Sequence, residues 1–139
     1  MRNGLVFLLM GLSGWGVSAA SIGCTAEEAR KAEAVAGVAR SWSDLHETFR
    51  LYNHCDDGAV AEGFSESVTR LLADNWKTLP DLVRLFGGDA DFRGFVIRHI
   101  DESAPADRLK KITRNARGQC PANLQSFCKQ LREAAGRGG

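Results

Sequence analysis

This chain of 139 residues has a short apolar leader followed by four cysteines, and the leader and the cysteines together restrict its fold. The leader has one positive side chain, Arg2, then an uncharged, glycine-interrupted stretch over residues 4–15 and small residues over 17–21. Such a stretch is too short to span a bilayer and is typical of a secretory signal peptide. We therefore predict that residues 1–20 are cleaved, which leaves about 120 residues, enough for one domain.

The cysteines of the exported part are Cys24, Cys55, Cys120 and Cys128. An even number in an oxidising compartment favours disulfides over a metal site, and no CxxC pair occurs. A last helix is expected to start at Pro121, which would separate Cys120 from Cys128 by about 12 Å, beyond the roughly 7 Å limit for a bridge. We therefore expect both to pair with the N-terminal cysteines, with Cys24–Cys120 and Cys55–Cys128 slightly favoured.

Apolar residues recur at steps of three and four through successive segments, and no segment alternates as a strand does. Thr25 and Glu28 form a capping-box pattern before the first helix, and Asp57 can cap a third helix that we expect to be central to the core. The predicted fold is all-α, a single compact, disulfide-tied domain of five to seven short helices over residues 21–135. Residues 136–139 are expected to be a disordered tail.

The glycine before Cys24 leaves a second interpretation of the leader open. Bacterial lipoproteins also have a small residue before the cysteine that they acylate, but they favour leucine three positions before it, where this chain has Ser21. If Cys24 were acylated, the protein would be anchored to a membrane. Membrane contact is expected only in that case.

The charges balance overall but are distributed unevenly. Residues 20–107 contain 16 acidic and 9 basic side chains, whereas residues 108–139 contain 1 acidic and 8 basic ones. A neutral mature chain gives no support for nucleic-acid binding. The simplest interpretation is that the two halves screen each other within one domain, and the alternative is an acidic patch that attracts a cationic partner.

The loop at residues 54–57 combines an imidazole, a thiol and two carboxylates, but its spacing does not favour chemistry. None of the three histidines has a second histidine four residues away, as a helical metal pair requires. Ser65 lies in a Gly-Phe-Ser-Glu-Ser stretch that falls short of a nucleophile elbow and has no preceding strand. We expect His99 to cap a helix end. No catalytic residue, metal site or cofactor is predicted.

The layout resembles a known class of exported bacterial proteins. A signal peptide, several short helices, a Cys55-x2-Gly58-x4-Gly63 stretch opening the central helix, and the later cysteines are similar to the periplasmic helical immunity proteins that neutralise type VI secretion amidases. The resemblance covers residues 52–128 in outline. It implies an all-helical, non-enzymatic protein that dimerises and plugs the active-site cleft of a peptidoglycan-cutting effector, and it assigns no binding residue.

The leading expectation is therefore a periplasmic helical domain that binds another protein, such as a secreted hydrolase, as an inhibitor or immunity protein. A homodimer is left open. The residues predicted to meet the partner are His54, Asp56, Asp57, Glu62 and Glu66.

Two other classes of function remain. One is an envelope-associated structural or stress protein that binds anionic lipid or polysaccharide through basic residues of the sixth helix. These residues are Arg108, Lys110, Lys111, Arg114 and Arg117. The other, less favoured, is a small enzyme using His54 with Asp56 or Asp57.

Overall fold

The computed structural model describes residues 23–139, and this part is all-helical, which confirms the predicted fold class. The signal peptide and its cleavage point lie outside the described residues. The α-helices are α1 (Ala26–Ala36), α2 (Trp42–Tyr52), α3 (Gly58–Asp74), α4 (Leu79–Phe86), α5 (Ala90–Arg98), α6 (Ala106–Gly118) and α7 (Gln125–Arg137). Three 3-10 turns, Asn53–Cys55, Trp76–Thr78 and Ala122–Leu124, lie between them.

Several helices begin where the sequence supplies a capping side chain. Thr25 and Glu28 form the predicted capping box of α1, and Ser41 with Asp44 forms a second one before α2, which was not anticipated. Asp57 accepts a hydrogen bond from the first amide of α3. These side chains satisfy amide groups that have no partner inside the helix, and they fix the boundaries of the helices.

Helix α3 is the centre of the fold, as expected. Nine of its seventeen residues are buried, and it packs against α1, α2 and α6. Helix α1 approaches it closely because both helices have small residues at the crossing. A Cβ added at Gly63 would lie 3.0 Å from the Cβ of Ala36 and 3.1 Å from the amide nitrogen of Gly37.

Aromatic rings join α2, α3 and α5. The ring of Phe95 is fully buried, and its centroid lies 4.7 Å from that of Phe49, 4.9 Å from that of Phe64 and 4.4 Å from the imidazole of His99. Such tilted and edge-on contacts are the favoured geometries of aromatic pairs. They place the end of α5 against the middle of α3.

The disulfides are Cys24–Cys55 and Cys120–Cys128, so the pairing favoured from the sequence is wrong. The error came from the assumed start of the last helix. Pro121 is followed by a 3-10 turn, and α7 begins only at Gln125, so Cys120 lies outside the helix. The chain folds back there, and the Cα atoms of Cys120 and Cys128 are 6.2 Å apart, within the range for a bridge.

Both disulfides indicate an oxidising, exported environment. Cys24 has no free thiol in this structure, because it is bonded to Cys55. Among residues 23–139, none of the helices is both long and apolar enough to cross a bilayer.

The C-terminal end is more ordered than the sequence indicates. Helix α7 continues to Arg137, two residues into the segment expected to be a disordered tail. Gly138 then lies against the turn after α5, since a Cβ added there would be 2.8 Å from the backbone carbon of Asp101. A glycine allows this close approach of two backbones.

Candidate functional site

The acidic segment, residues 54–57, is held at every position. His54 Nε2 lies 3.3 Å from a carboxylate oxygen of Glu28 in α1, and Cys55 is bonded to Cys24. Asp56 turns inward, and Asp57 caps α3. The segment therefore joins the start of α1, the start of α3 and the core, and it has little freedom to rearrange.

Asp56 reaches a buried polar network centred on His99. The imidazole of His99, whose residue is 5% exposed, contacts Asp56 Oδ2 through Nε2 at 3.1 Å and Ser65 Oγ through Nδ1 at 2.9 Å. Ser65 Oγ also lies 2.9 Å from Asp101 Oδ2. The network connects the acidic segment to α3 and to the turn after α5. Sequence reasoning missed it, because the residues that contact each other in it are 34 to 43 positions apart in the chain.

The protonation of His99 controls how well this network is satisfied. Ser65 has a single hydroxyl proton, so beside a neutral ring protonated on Nε2 it serves either His99 Nδ1 or Asp101 Oδ2, whereas a neutral ring protonated on Nδ1 leaves the acceptor Nε2 facing the Asp56 carboxylate. A charged ring would donate to both Asp56 and Ser65 and leave the hydroxyl free to donate to Asp101. Burial nevertheless lowers the pKa of His99 below 6.5, although the Asp56 carboxylate opposes this shift. The second oxygen of Asp56, Oδ1, is buried and has no hydrogen-bond partner within residues 23–139.

The carboxyl group of Asp101 is ionised readily. Burial alone would raise the pKa of Asp101, but hydrogen bonds from the hydroxyl and amide of Ser103 and from Ser65 outweigh it and hold the pKa below 3.8. The network thus contains two carboxylates, of which one is fixed by Ser103 and the other faces the ring of His99.

The order Asp56, His99, Ser65 has the connectivity of a hydrolase triad, but its position is unsuited to attack on a substrate. Ser65 lies in the middle of α3 and is 2% exposed. A nucleophile must reach the scissile carbonyl, and its site must supply oxyanion donors. His54, the histidine considered for an acid-base site, contacts Glu28 instead of Asp56 or Asp57. The geometry supports a structural role for the network, which anchors the acidic segment.

The structure separates the five residues predicted to meet a partner into two groups. His54, Asp56 and Glu66 contact other side chains of the domain, whereas Asp57 and Glu62 are exposed and make no ion pair with another described residue. Glu66 lies between Arg70 and Arg108, and these guanidinium groups lower its pKa, with Arg108 contributing most. The outward acidic charge is thus at Asp57 and Glu62.

The described part of the chain, residues 23–139, has no arrangement typical of a metal site. Over residues 23–139, no three His, Cys, Asp or Glu side chains are grouped so that they could hold a metal ion. The three histidines each contact a carboxylate of another element instead. His46 Nε2, for example, lies 2.9 Å from Asp89 Oδ2 at the start of α5. The imidazole contacts of this part of the chain therefore tie helices together.

Comparison with protein-family models, curated proteins and solved structures finds no match to this chain.

Proposed function

We propose that this protein is an exported, periplasmic helical domain that binds another protein, as an inhibitor or immunity protein for an effector that attacks the cell wall. The observation that carries the proposal is the anchoring of the acidic segment. A disulfide, a contact to Glu28, a buried contact to His99 and a helix cap fix four consecutive residues, 54–57.

Such anchoring favours recognition of a folded partner. A binding surface that is already ordered loses little conformational entropy when the complex forms, so more of the contact energy appears as affinity. Short segments held on a rigid scaffold commonly carry recognition in this way. The fixed acidic segment and the exposed first turns of α3 have these properties.

The charge of this surface indicates the chemistry of the partner. Asp57, the last residue of the acidic segment and the N-cap of α3, is exposed, and so is Glu62 in the first half of α3. Acidic groups on one protein accelerate association with a basic surface on another, and the effect weakens as salt screens them. We therefore assign the direct contacts to Asp57 and Glu62, and assign Asp56 and His99 to holding the segment in place.

The first experiment isolates the partner. The mature, oxidised domain is used to capture binding proteins from envelope extracts. It is also mixed with purified cell-wall hydrolases of secretion systems, and binding is measured by calorimetry. A stoichiometric complex that blocks the activity of a hydrolase would support the proposal. Failure to bind or inhibit any such enzyme, with the domain shown to be folded and oxidised, would refute the inhibitor function.

The second experiment tests the surface. Asp57→Asn keeps a good helix cap while removing the charge, and Glu62→Gln removes a charge without changing shape. The double variant should weaken the complex about fivefold and flatten its salt dependence. Glu133→Gln, on α7, is the matched control and should bind as the parent does. Equal affinity of all three proteins would show that the acidic segment is not the contact surface.

A further inference from the structure

The surface between α6 and α7 has an apolar groove that the proposed protein-binding function does not use. Its volume is about 380 Å³, and it is lined mainly by hydrocarbon. Leu109 forms part of its floor, and the small residues Ala135, Gly136 and Gly139 leave it open on the α7 side. A groove of this size falls within the range that holds small ligands.

The rim of this groove is cationic. Lys110 and Arg114, one turn apart on α6, line it, and both are exposed. Neither makes an ion pair with another residue in the part of the chain that the structure describes. The neighbouring cations of α6 differ in this respect, because Arg108 pairs with Glu66 and Lys111 pairs with Asp74 of α3. The uncompensated charge of α6 thus includes the two basic residues at the groove.

An apolar floor beside two cations is complementary to a molecule with a hydrocarbon tail and an anionic head. The two walls of the groove, α6 and α7, pack directly against each other. Insertion of this face into a bilayer is not favoured. The large apolar side chains exposed within residues 23–139 are Val35, Val38 and Leu51, all outside α6 and α7, so the apolar surface here is recessed.

We propose that the groove between α6 and α7 binds a single-chain anionic amphiphile, a fatty acid or lysophospholipid, with its tail along the accessible hydrocarbon of Ala106 and Thr113 and its head between Lys110 and Arg114. This site shares no residue with the acidic segment. It gives the basic C-terminal part of the domain a ligand, in place of the diffuse membrane contact considered from the sequence.

The test titrates the mature oxidised domain with monomeric amphiphiles below their micelle concentration, followed by calorimetry. The probes are lysophosphatidylglycerol and lysophosphatidylcholine of equal chain length, and saturated fatty acids of 10, 12 and 14 carbons. Each buried methylene should strengthen binding about twofold to fourfold. The anionic lysolipid should bind more tightly than the zwitterionic one, and the difference should shrink at high salt.

Variants locate the site. A Cβ at Gly136 meets no atom within 4 Å, so Gly136→Leu should fill the groove without a clash. The control is Gly118→Leu, because Gly118 is an equally open position at the end of α6 and does not line the groove. Gly136→Leu should abolish the chain-length dependence. Arg114→Gln should weaken binding about fivefold, and Arg117→Gln, a neighbouring cation outside the groove, should not.

Three results would overturn the proposal. The first is equal binding by the Gly136→Leu and Gly118→Leu proteins, with both shown by circular dichroism to be helical. The second is equal affinity for the anionic and zwitterionic lysolipids. The third is binding only to phosphatidylglycerol vesicles and to none of the monomeric probes, which would identify a membrane surface as the partner.

Discussion

Removing each disulfide separately gives a quantitative test of the pairing. In the chain-entropy account, a crosslink stabilises by restricting the unfolded chain, and the effect grows with the loop that it closes. The sequence separations are 31 for Cys24–Cys55 and 8 for Cys120–Cys128. These separations correspond to about 3.7 and about 2.5 kcal/mol respectively. Losing both would cost about 6 kcal/mol, comparable to the whole free energy of unfolding of many domains of this size.

The measurement is denaturant unfolding of the parent and of two double variants, Cys24→Ala/Cys55→Ala and Cys120→Ala/Cys128→Ala. Cys55 and Cys128 are buried, so replacement also removes packed sulfur atoms. Reduction of the parent protein controls for this loss, because it breaks the crosslinks and retains the sulfur. We expect the reduced protein to be marginally folded. Of the two double variants, the one without Cys24–Cys55 should be the less stable.

The pairing itself is read from tryptic peptides prepared without reduction. Cys120 and Cys128 fall within one peptide, residues 118–129, whereas Cys55 falls in residues 51–70 and Cys24 in a peptide that ends at Arg30. The structure predicts peptide 118–129 as a single species lighter by two hydrogen atoms than its reduced form. A species in which peptide 118–129 is crosslinked to either of the others would refute the pairing and the energies derived from it.

Three further predictions concern the core and the buried network. Phe95→Ala should lower the free energy of unfolding by about 3–5 kcal/mol in denaturant titrations, because it empties the centre of the aromatic cluster. Gly63→Ala should cost up to about 2 kcal/mol net in the same assay, since the contacts of its Cβ with Ala36 and the backbone of Gly37 outweigh the roughly 1 kcal/mol of helix propensity gained, and a gain in stability of about 1 kcal/mol would contradict the close crossing of α1 and α3. The folded-state pKa of His99 is depressed, so the unfolded chain binds the proton more readily, and stability should fall as the pH drops through 6.5 toward that lower value. Thermal unfolding between pH 8 and 5 should show this slope, and His99→Gln should flatten it. A parent whose stability rises on acidification over this range would contradict the sign.

The sequence predicts the helices well because their signals are local. The carboxylate of Asp57, the box formed by Thr25 and Glu28, and the face of α2 that includes Leu45 and Phe49 each lie within a few residues of the structure that they specify. Apolar periodicity then indicates which side of each helix is buried. Together they were sufficient for the fold class and for the central position of α3.

The candidate site could not be predicted in the same way, because its contacts join distant segments. His99 meets Asp56 and Ser65 only after α3 and α5 have packed together, and nothing near His99 in the chain distinguishes it from a simple helix cap. The predicted disulfide pairing was wrong for a different reason. A helix assumed to begin at Pro121 instead of Gln125 changes the distance between Cys120 and Cys128 enough to reverse the conclusion. The ends of helices depend on turns and caps that apolar periodicity does not specify.

The acidic segment and the α6/α7 groove are close enough that their tests must be kept independent. Gly138, which precedes Gly139 of the groove, lies against Asp101, and Asp101 accepts a hydrogen bond from Ser65 in the network that holds Asp56. A substitution at Asp101 would therefore disturb both surfaces and distinguish nothing. Asp57→Asn retains its cap on α3, and a side chain at Gly136 enters open space, so neither substitution changes Asp101 directly. If each variant weakens only its own ligand, two separate sites follow. If either weakens both, the two surfaces are coupled through Asp101.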